Sequence, residues 1–249
     1  MSVLADLKTL YHLVLQPVRG GTHAERLNSF YESQAGQYDR FREKLLHGRE
    51  TLMENLPMPD GGTWLDMGGG TGANLDRVGE KVRRLGRVAI IDLCRPLLQV
   101  ARRRINDRGW TNAEVVEADA ATVHLDGAMA DVITFSYSLT MMPNWFAAVE
   151  NACRLLRPGG LLGVVDFYVS SRHPPVGQTR HSWLTRTLWP AWFAADGVHL
   201  GPDRLAYLQW RFDTLLLLER RGSVPYLPGL RVPYFVFVGQ RRAAQNLPA

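Results

Sequence analysis

The nine residues Trp64-Leu65-Asp66-Met67-Gly68-Gly69-Gly70-Thr71-Gly72 constrain the fold of this chain more than any other stretch. They follow a turn cluster, Pro57-Met58-Pro59-Asp60-Gly61-Gly62, and run directly into an amphipathic segment beginning near Asn74. A short apolar run that breaks into glycine and then into helix marks the turn between a parallel strand and the helix that follows it. Glycines at 68, 70 and 72 let that turn be tight and let a ligand approach bare backbone. The spacing is G-x-G-x-G. Ala73 also satisfies the last position of the dinucleotide fingerprint, so spacing alone leaves a dinucleotide open. Asp66 tips the balance, because a carboxylate two residues before the first glycine repels a pyrophosphate and suits a cationic ligand.

Beyond residue 57 short apolar runs alternate with helical stretches, the pattern of a parallel sheet covered by helices. Strands are predicted at Thr63–Met67, Arg87–Asp92, Ala113–Glu117, Asp131–Ser136 and Leu161–Phe167, with helices at Asn74–Leu85, Arg95–Asp107 and Asn144–Leu156. Two more strands, Phe212–Glu219 and Tyr234–Gly239, have no helix between them and are expected as an antiparallel pair at one edge. Residues 1–19 read as a helix stopped by Pro17 and Gly20-Gly21, and Thr22–Leu56 as a further helical region. Residues 1–56 are thus expected to cap an α/β domain spanning 57–249. With 249 residues, 46% hydrophobic and 21% charged, the chain can bury a sizeable core and is not disordered throughout. Cys94 and Cys153 cannot build a disulfide framework or a four-thiolate zinc site; no metal is expected, and a reducing cytosol is. No apolar run approaches the ~20 residues that span a bilayer, and no cleavable leader is expected.

Two further acids sit in register with Asp66. Val88-Ala89-Ile90-Ile91-Asp92 ends the second strand in an acid suited to the two hydroxyls of a ribose, and Val115-Val116-Glu117-Ala118-Asp119-Ala120 ends the third in one suited to an adenine amine. One such acid is commonly a helix cap; three at successive strand ends mark the ligand-binding edge of an open α/β sheet.

Here the sequence, over about residues 30–170, resembles the class I S-adenosylmethionine-dependent methyltransferases. The resemblance implies a Rossmann-like α/β fold with a seven-stranded, mostly parallel sheet and an antiparallel last strand. It implies that Gly68, Gly70 and Gly72 line the methionine part of S-adenosylmethionine, with Thr71 near its carboxylate and Asp66 near its amine. Asp92 and the adjoining Leu93 would hold the ribose, and Asp119 and Ala120 the adenine. Ser136-Tyr137-Ser138-Leu139 follows the fourth strand, where this family faces cofactor and acceptor. Outside that core, Phe30 to Arg42, Leu45-Leu46-His47-Gly48-Arg49, Asp196-Gly197-Val198-His199-Leu200, Leu205-Ala206-Tyr207-Leu208 and Glu219 to Tyr234 are similar to the methyltransferase of betaine-lipid synthesis. That similarity implies three successive N-methylations of diacylglyceryl-homoserine, a lipid made by a separate aminocarboxypropyl transferase.

Repeated methylation of an amine needs a pocket that tolerates a growing cation, which aromatic rings provide. Tyr31, Tyr38 and Tyr137 are candidates, with ordinary packing the alternative for each. Asp166, at the end of the fifth strand, is a candidate for the substrate ammonium, and His181 and His199 for proton acceptors. For a headgroup carboxylate the candidates are Arg172, Arg180 and Arg186, with Arg42 and Arg49 as alternatives that could instead serve the cofactor.

Charge is unevenly placed. Residues 170–249 hold ten arginines against four acids, while residues 1–169 hold 19 basic and 20 acidic residues, so the formal +5 belongs to the C-terminal third. There an insertion at about 170–201 concentrates Trp183, Trp189, Trp192 and Phe193 among arginines. That composition suits a bilayer interface or a lid over the site, and a cytoplasmic enzyme resting on the inner face of a membrane is expected. Within the same fold a quinone C-methyltransferase, a small-molecule N-methyltransferase and a catalytically idle subunit are the rivals. A nucleic-acid enzyme is disfavoured, because Ser136-Tyr137-Ser138-Leu139 lacks the Asn/Asp-Pro-Pro-aromatic clamp for an exocyclic amine.

Overall fold

The computed structural model describes residues 21, 25, 44–125, 129–194, 197–225, 227 and 229–242. Tyr31, Tyr38, Arg42 and the expected helix over 1–19 lie outside them. Seven strands form one sheet in the order β3-β2-β1-β4-β5-β7-β6. They are β1 (Thr63–Met67), β2 (Arg87–Asp92), β3 (Ala113–Glu117), β4 (Ala130–Ser136), β5 (Leu156–Phe167), β6 (Phe212–Ser223) and β7 (Arg231–Arg241). The first five run parallel, and β7 is antiparallel to both β5 and β6. Among the described residues six helices flank them: α1 (Arg49–Glu54), α2 (Ala73–Val78), α3 (Arg95–Arg108), α4 (Trp145–Leu155), α5 (Trp183–Ala194) and α6 (Asp203–Arg211).

Strand alternation sends successive side chains to opposite faces, and the core is divided accordingly. Trp64, Val88, Ile90, Val132, Val165 and Val236 pack on one face against Leu52 of α1, Leu75 of α2, Leu98 of α3, and Trp189 and Phe193 of α5. Leu65, Met67, Ile91, Phe135, Val164 and Phe237 pack on the other against Ala148 and Val149 of α4 and Leu205 and Leu208 of α6. Each fully buried aliphatic or aromatic side chain in these layers contributes about 1.5–3 kcal/mol.

The strand predictions hold, with differences at the ends. Arg157-Pro158-Gly159-Gly160, expected to be a break after a helix, lies inside the 12-residue β5. The pairing with β4 jumps from Ala130–Leu156 to Val132–Leu161, so the Pro-Gly-Gly segment is absorbed as an irregularity in the ladder. The expected helix over Asn74–Leu85 is shorter: α2 stops at Val78, and a 3-10 turn covers Gly79–Arg84. The helix α6 has no counterpart in the sequence reading. Among the described residues no helix is long and apolar enough to cross a membrane.

Candidate active site

A cavity of about 280 Å³ opens at the C-terminal ends of β1, β2 and β4, close to the lower end of the range for ligand pockets. Gly68 and Gly70 form one wall; Asp92, Leu93 and Cys94 follow β2; Ala118, Asp119 and Ala120 follow β3; and Tyr137, Ser138 and Met141 to Asn144 follow β4. Six of the residues expected around a cofactor are therefore brought together: Gly68, Gly70, Asp92, Leu93, Asp119 and Ala120.

The glycine turn is forced by its neighbours. Gly68 has φ +69°, and a Cβ there would stand 2.4 Å from Cβ of Ser138. Gly70 has φ +54°, a Cβ there would make only ordinary van der Waals contact, with Leu97 Cδ1 at 3.5 Å, and its N–H donates to Oδ2 of Asp92 at 2.9 Å. The other carboxylate oxygen of Asp92 accepts from the N–H of Cys94 at 2.8 Å. Asp92 thus braces the glycine turn through both of its carboxylate oxygens. Asp119 accepts from the N–H of Ala121 at 2.8 Å and is otherwise exposed.

Five expected cofactor residues stand elsewhere. Asp66 is fully buried on the α1–α2–α3 face of β1, beneath the glycine turn rather than in the cavity. Its carboxylate accepts from Thr134 Oγ1 at 2.7 Å and from Asn74 Nδ2 at 3.0 Å, and Trp64 Nε1–H donates to Thr134 Oγ1 at 2.9 Å. Burial pushes its carboxyl up to about 6 despite those bonds. Thr71 is buried with its carbonyl bonded to Arg104, and Gly72 packs toward Ile90. The Ser136 Oγ is buried without a hydrogen-bond partner among the described residues. Arg49 is buried in α1.

The acceptor candidates are also engaged. Tyr137 has φ +55°, a strained conformation for a residue with a side chain. Its ring stands edge-on to Phe167 at 4.6 Å, but its hydroxyl donates to the carbonyl of His47 at 2.6 Å and so is not turned to the cavity. Burial, with Asp166 nearby, holds that phenol well above the ordinary tyrosine value. Asp166 is buried too, and burial raises its carboxyl to about 6. It accepts from Thr140 Oγ1 at 2.7 Å, Thr140 N–H at 3.1 Å and Phe167 N–H at 2.8 Å, which replaces the expected role of open ammonium acceptor with that of a staple for the loop after β4. His199 is exposed, and its N–H donates to Thr140 O at 2.8 Å. His181 is buried, accepts from Ser170 N–H at 3.0 Å through Nδ1, and is lowered by burial to about 4.

Arg204, missed in the sequence, completes the clamp on that loop. Its Nε donates to Leu139 O at 3.0 Å and its Nη1 to His199 O at 2.8 Å, with the guanidinium 5.3 Å from the Trp145 ring centre. The available signal was its position four residues before Leu208 on an otherwise apolar helical stripe.

Comparison with known proteins decides the family. The model of the ubiE/COQ5 methyltransferase family matches residues 22–189, two-thirds of the chain. The chain belongs to that family. The ubiquinone/menaquinone biosynthesis C-methyltransferase UbiE of Coxiella burnetii is 27% identical over 162 residues, which cover 63% of this chain and 65% of that protein. Among solved structures, the N-methyltransferase NodS of Bradyrhizobium japonicum with S-adenosyl-L-homocysteine has a TM-score of 0.64 at 14% identity, covering 87% of this chain and 99% of that one. A Haemonchus contortus N-methyltransferase with phosphomonomethylethanolamine and S-adenosylhomocysteine has a TM-score of 0.68 at 10% identity, covering 90% and 61%. The family's cofactor, S-adenosylmethionine, fits this edge: the bare backbone of Gly68 and Gly70 faces the cavity, and the carboxylates of Asp92 and Asp119 offer acceptors to hydroxyl and amine donors.

Proposed function

We propose that this protein is an S-adenosylmethionine-dependent N-methyltransferase that converts diacylglyceryl-homoserine to its trimethylated betaine form while resting on the inner face of a membrane. One observation carries the reading. Trp183 and Trp192 are 72% and 40% exposed on α5, together with Leu184. The other face of α5 reaches the cavity rim through Phe193 and Phe167, 4.9 Å apart, and then Tyr137. Exposed indoles among arginines suit the headgroup layer of a bilayer, so α5 would hold the cavity beside lipid headgroups. A separate aminocarboxypropyl transferase would supply the substrate.

When bound, S-adenosylmethionine supplies an electrophilic methyl group. The work left to the chain is positional, since displacement by an amine is governed mainly by orientation. Asp92 and Ser138 set the glycine turn, while Asp166 and Arg204 fix the loop that forms the opposite wall. With Asp166 and His181 both spent on backbone N–H groups, an acceptor nitrogen that needs no carbon deprotonation suits this side of the cavity.

The family match favours a second reading, a quinone C-methyltransferase. That match ends at residue 189, before α6, β6 and β7, so it speaks mainly to the cofactor half. The test is incubation of purified protein with labelled S-adenosylmethionine and either diacylglyceryl-homoserine or a demethylated quinol in micelles, followed by mass analysis. Gains of one, two and three methyls on the lipid support the proposal. Label in the quinol alone transfers the assignment to the second reading, and label in neither, with cofactor bound, points to another acceptor or to a catalytically idle subunit.

A further inference from the structure

Helices α4 and α6 each bury one face and leave an aromatic strip on the other. Ala148, Val149, Leu205 and Leu208 go into the core. At helical spacing this turns Phe146 of α4, and Tyr207 and Trp210 of α6, away from it. The rings are continuous: the Phe146 and Tyr207 centroids are 4.6 Å apart, Tyr207 and Trp210 5.5 Å, and Trp145 and Tyr207 5.7 Å. Phe146 is 52% and Trp210 53% exposed, while Trp145 and Tyr207 are half-buried. Polar partners hold the inner rings in place. The Tyr207 hydroxyl donates to Glu150, which also accepts from Arg211 Nε at 2.9 Å, and the Arg204 guanidinium stands 5.3 Å from the Trp145 ring centre. The acid among these rings is therefore matched.

The strip begins at the cavity rim. Pro143 and Asn144 line the cavity, and Trp145 and Phe146 follow them directly in the chain. Ala148, on the same turn of α4, lines it too. The strip and α5 stand on opposite faces of the sheet, for α4 and α6 pack on one face and α5 on the other. The cavity opens at the sheet edge between them, with Tyr137 leading through Phe167 to α5 and Asn144 leading to α4.

Area and composition point to one kind of occupant. Phe146 and Trp210 leave open roughly half of the 150–250 Å² that such a side chain carries, about 200 Å² together. A stable protein interface takes about 800 Å² from each partner. Shallow insertion into a headgroup layer needs no such area, and rings that are apolar in body and polar at one edge are the ones that layer selects.

We propose that Phe146 and Trp210, flanked by Trp145 and Tyr207, insert into the headgroup layer of a bilayer. The strip and α5 then straddle the cavity mouth, and the C-terminal edge of the sheet faces the membrane. This rests on the membrane half of the lipid N-methyltransferase reading and holds whichever acceptor is methylated. With Glu150 matched, attachment through the strip is apolar and resists salt. The exposed Arg172 and Arg180 that precede α5 give that side a salt-sensitive share instead.

The test is partition of the full chain onto phosphatidylcholine vesicles, with and without phosphatidylglycerol, with brominated acyl chains as a depth probe. Phe146→Ser combined with Trp210→Ser should weaken partition roughly tenfold, at low and at high salt alike. S-adenosylhomocysteine affinity should match wild type, which verifies folding. Trp210→Phe should lose part of the tryptophan quenching by bromine. Wild-type partition and quenching in these variants overturn the strip as a membrane contact; partition lost in Trp183→Ser combined with Trp192→Ser then leaves the membrane reading of α5 standing. No partition of the wild type onto either vesicle overturns both. Self-association of the wild type without vesicles, abolished by the Phe146 and Trp210 substitutions, also overturns the inference, because a second copy then covers the strip.

Discussion

The hydroxyl of Tyr137 donates a 2.6 Å hydrogen bond to the backbone carbonyl of His47, ninety positions earlier in the chain. It joins the end of β4 to the turn that leads into α1, so the residue with the strained backbone also fixes the lip of the cavity. Tyr137→Phe removes this bond and leaves a part-buried carbonyl unmatched. A stability loss of about 1–2 kcal/mol is expected by denaturant titration, with S-adenosylhomocysteine affinity within about twofold of wild type. A large affinity loss with unchanged stability would put the hydroxyl in the cofactor site instead.

Asp92 acts through two backbone donors, Gly70 N–H and Cys94 N–H. Asp92→Ala frees both and removes the acceptor that faces the cavity. Calorimetry should give at least tenfold weaker S-adenosylhomocysteine binding, about 1.4 kcal/mol, in a protein that still folds. Wild-type affinity in this variant would show that the β2 end does not hold the cofactor.

Two alanine substitutions in the glycine turn should behave differently. At Gly68 the new Cβ would meet Cβ of Ser138 at 2.4 Å, so both folding yield and cofactor binding should fall. At Gly70 the nearest atom is Leu97 Cδ1 at 3.5 Å, leaving only the φ penalty of about 1 kcal/mol. Thermal denaturation should rank Gly68→Ala well below Gly70→Ala; the reverse order is incompatible with this packing.

Asp66 and Asp166 carry a pH signature. Both are fully buried, and both carboxyls rise to about 6 from an ordinary 3.8. The folded state holds these protons more tightly, so their contribution is complete below pH 3.8 and is lost as pH rises through about 6, roughly 3 kcal/mol for each group. His181 opposes them: lowered from 6.5 to about 4, it favours folding above pH 6.5 and loses that contribution as pH falls toward 4. The clean measurement is the difference between Asp166→Asn and wild type. That difference should move in favour of the variant between pH 4 and 7, and parallel stability curves would remove Asp166 as the source.

Much of the cofactor half was legible in sequence because backbone geometry governs it. A glycine turn has to follow a strand, and an acid at the end of β2 has to meet the same edge, so spacing alone located Gly68, Gly70 and Asp92. Spacing does not say which face of a strand a side chain joins. Asp66 falls on the face covered by α1, α2 and α3, and Asp166 on the face covered by α4 and α6, so both are buried under neighbours contributed from far along the chain. Arg204 and Thr140 escaped notice for a related reason: each works through partners that sequence proximity does not reveal, Leu139 O for one and Asp166 for the other. The exposed tryptophans of the insertion were legible as composition, while their anchoring through Phe193 and Phe167 required the fold.

The position of β7 bears on how the molecule is made. Of the seven strands it leaves the ribosome last, yet it lies inside the sheet, between β5 and β6. Until it arrives, β5 presents an open edge and β6 has no strand to pair with, although every element lining the cofactor cavity has already been synthesised. A nascent chain can therefore complete its cofactor half well before its acceptor half, and the exposed side of β5 is the surface on which a stalled or shortened chain would aggregate.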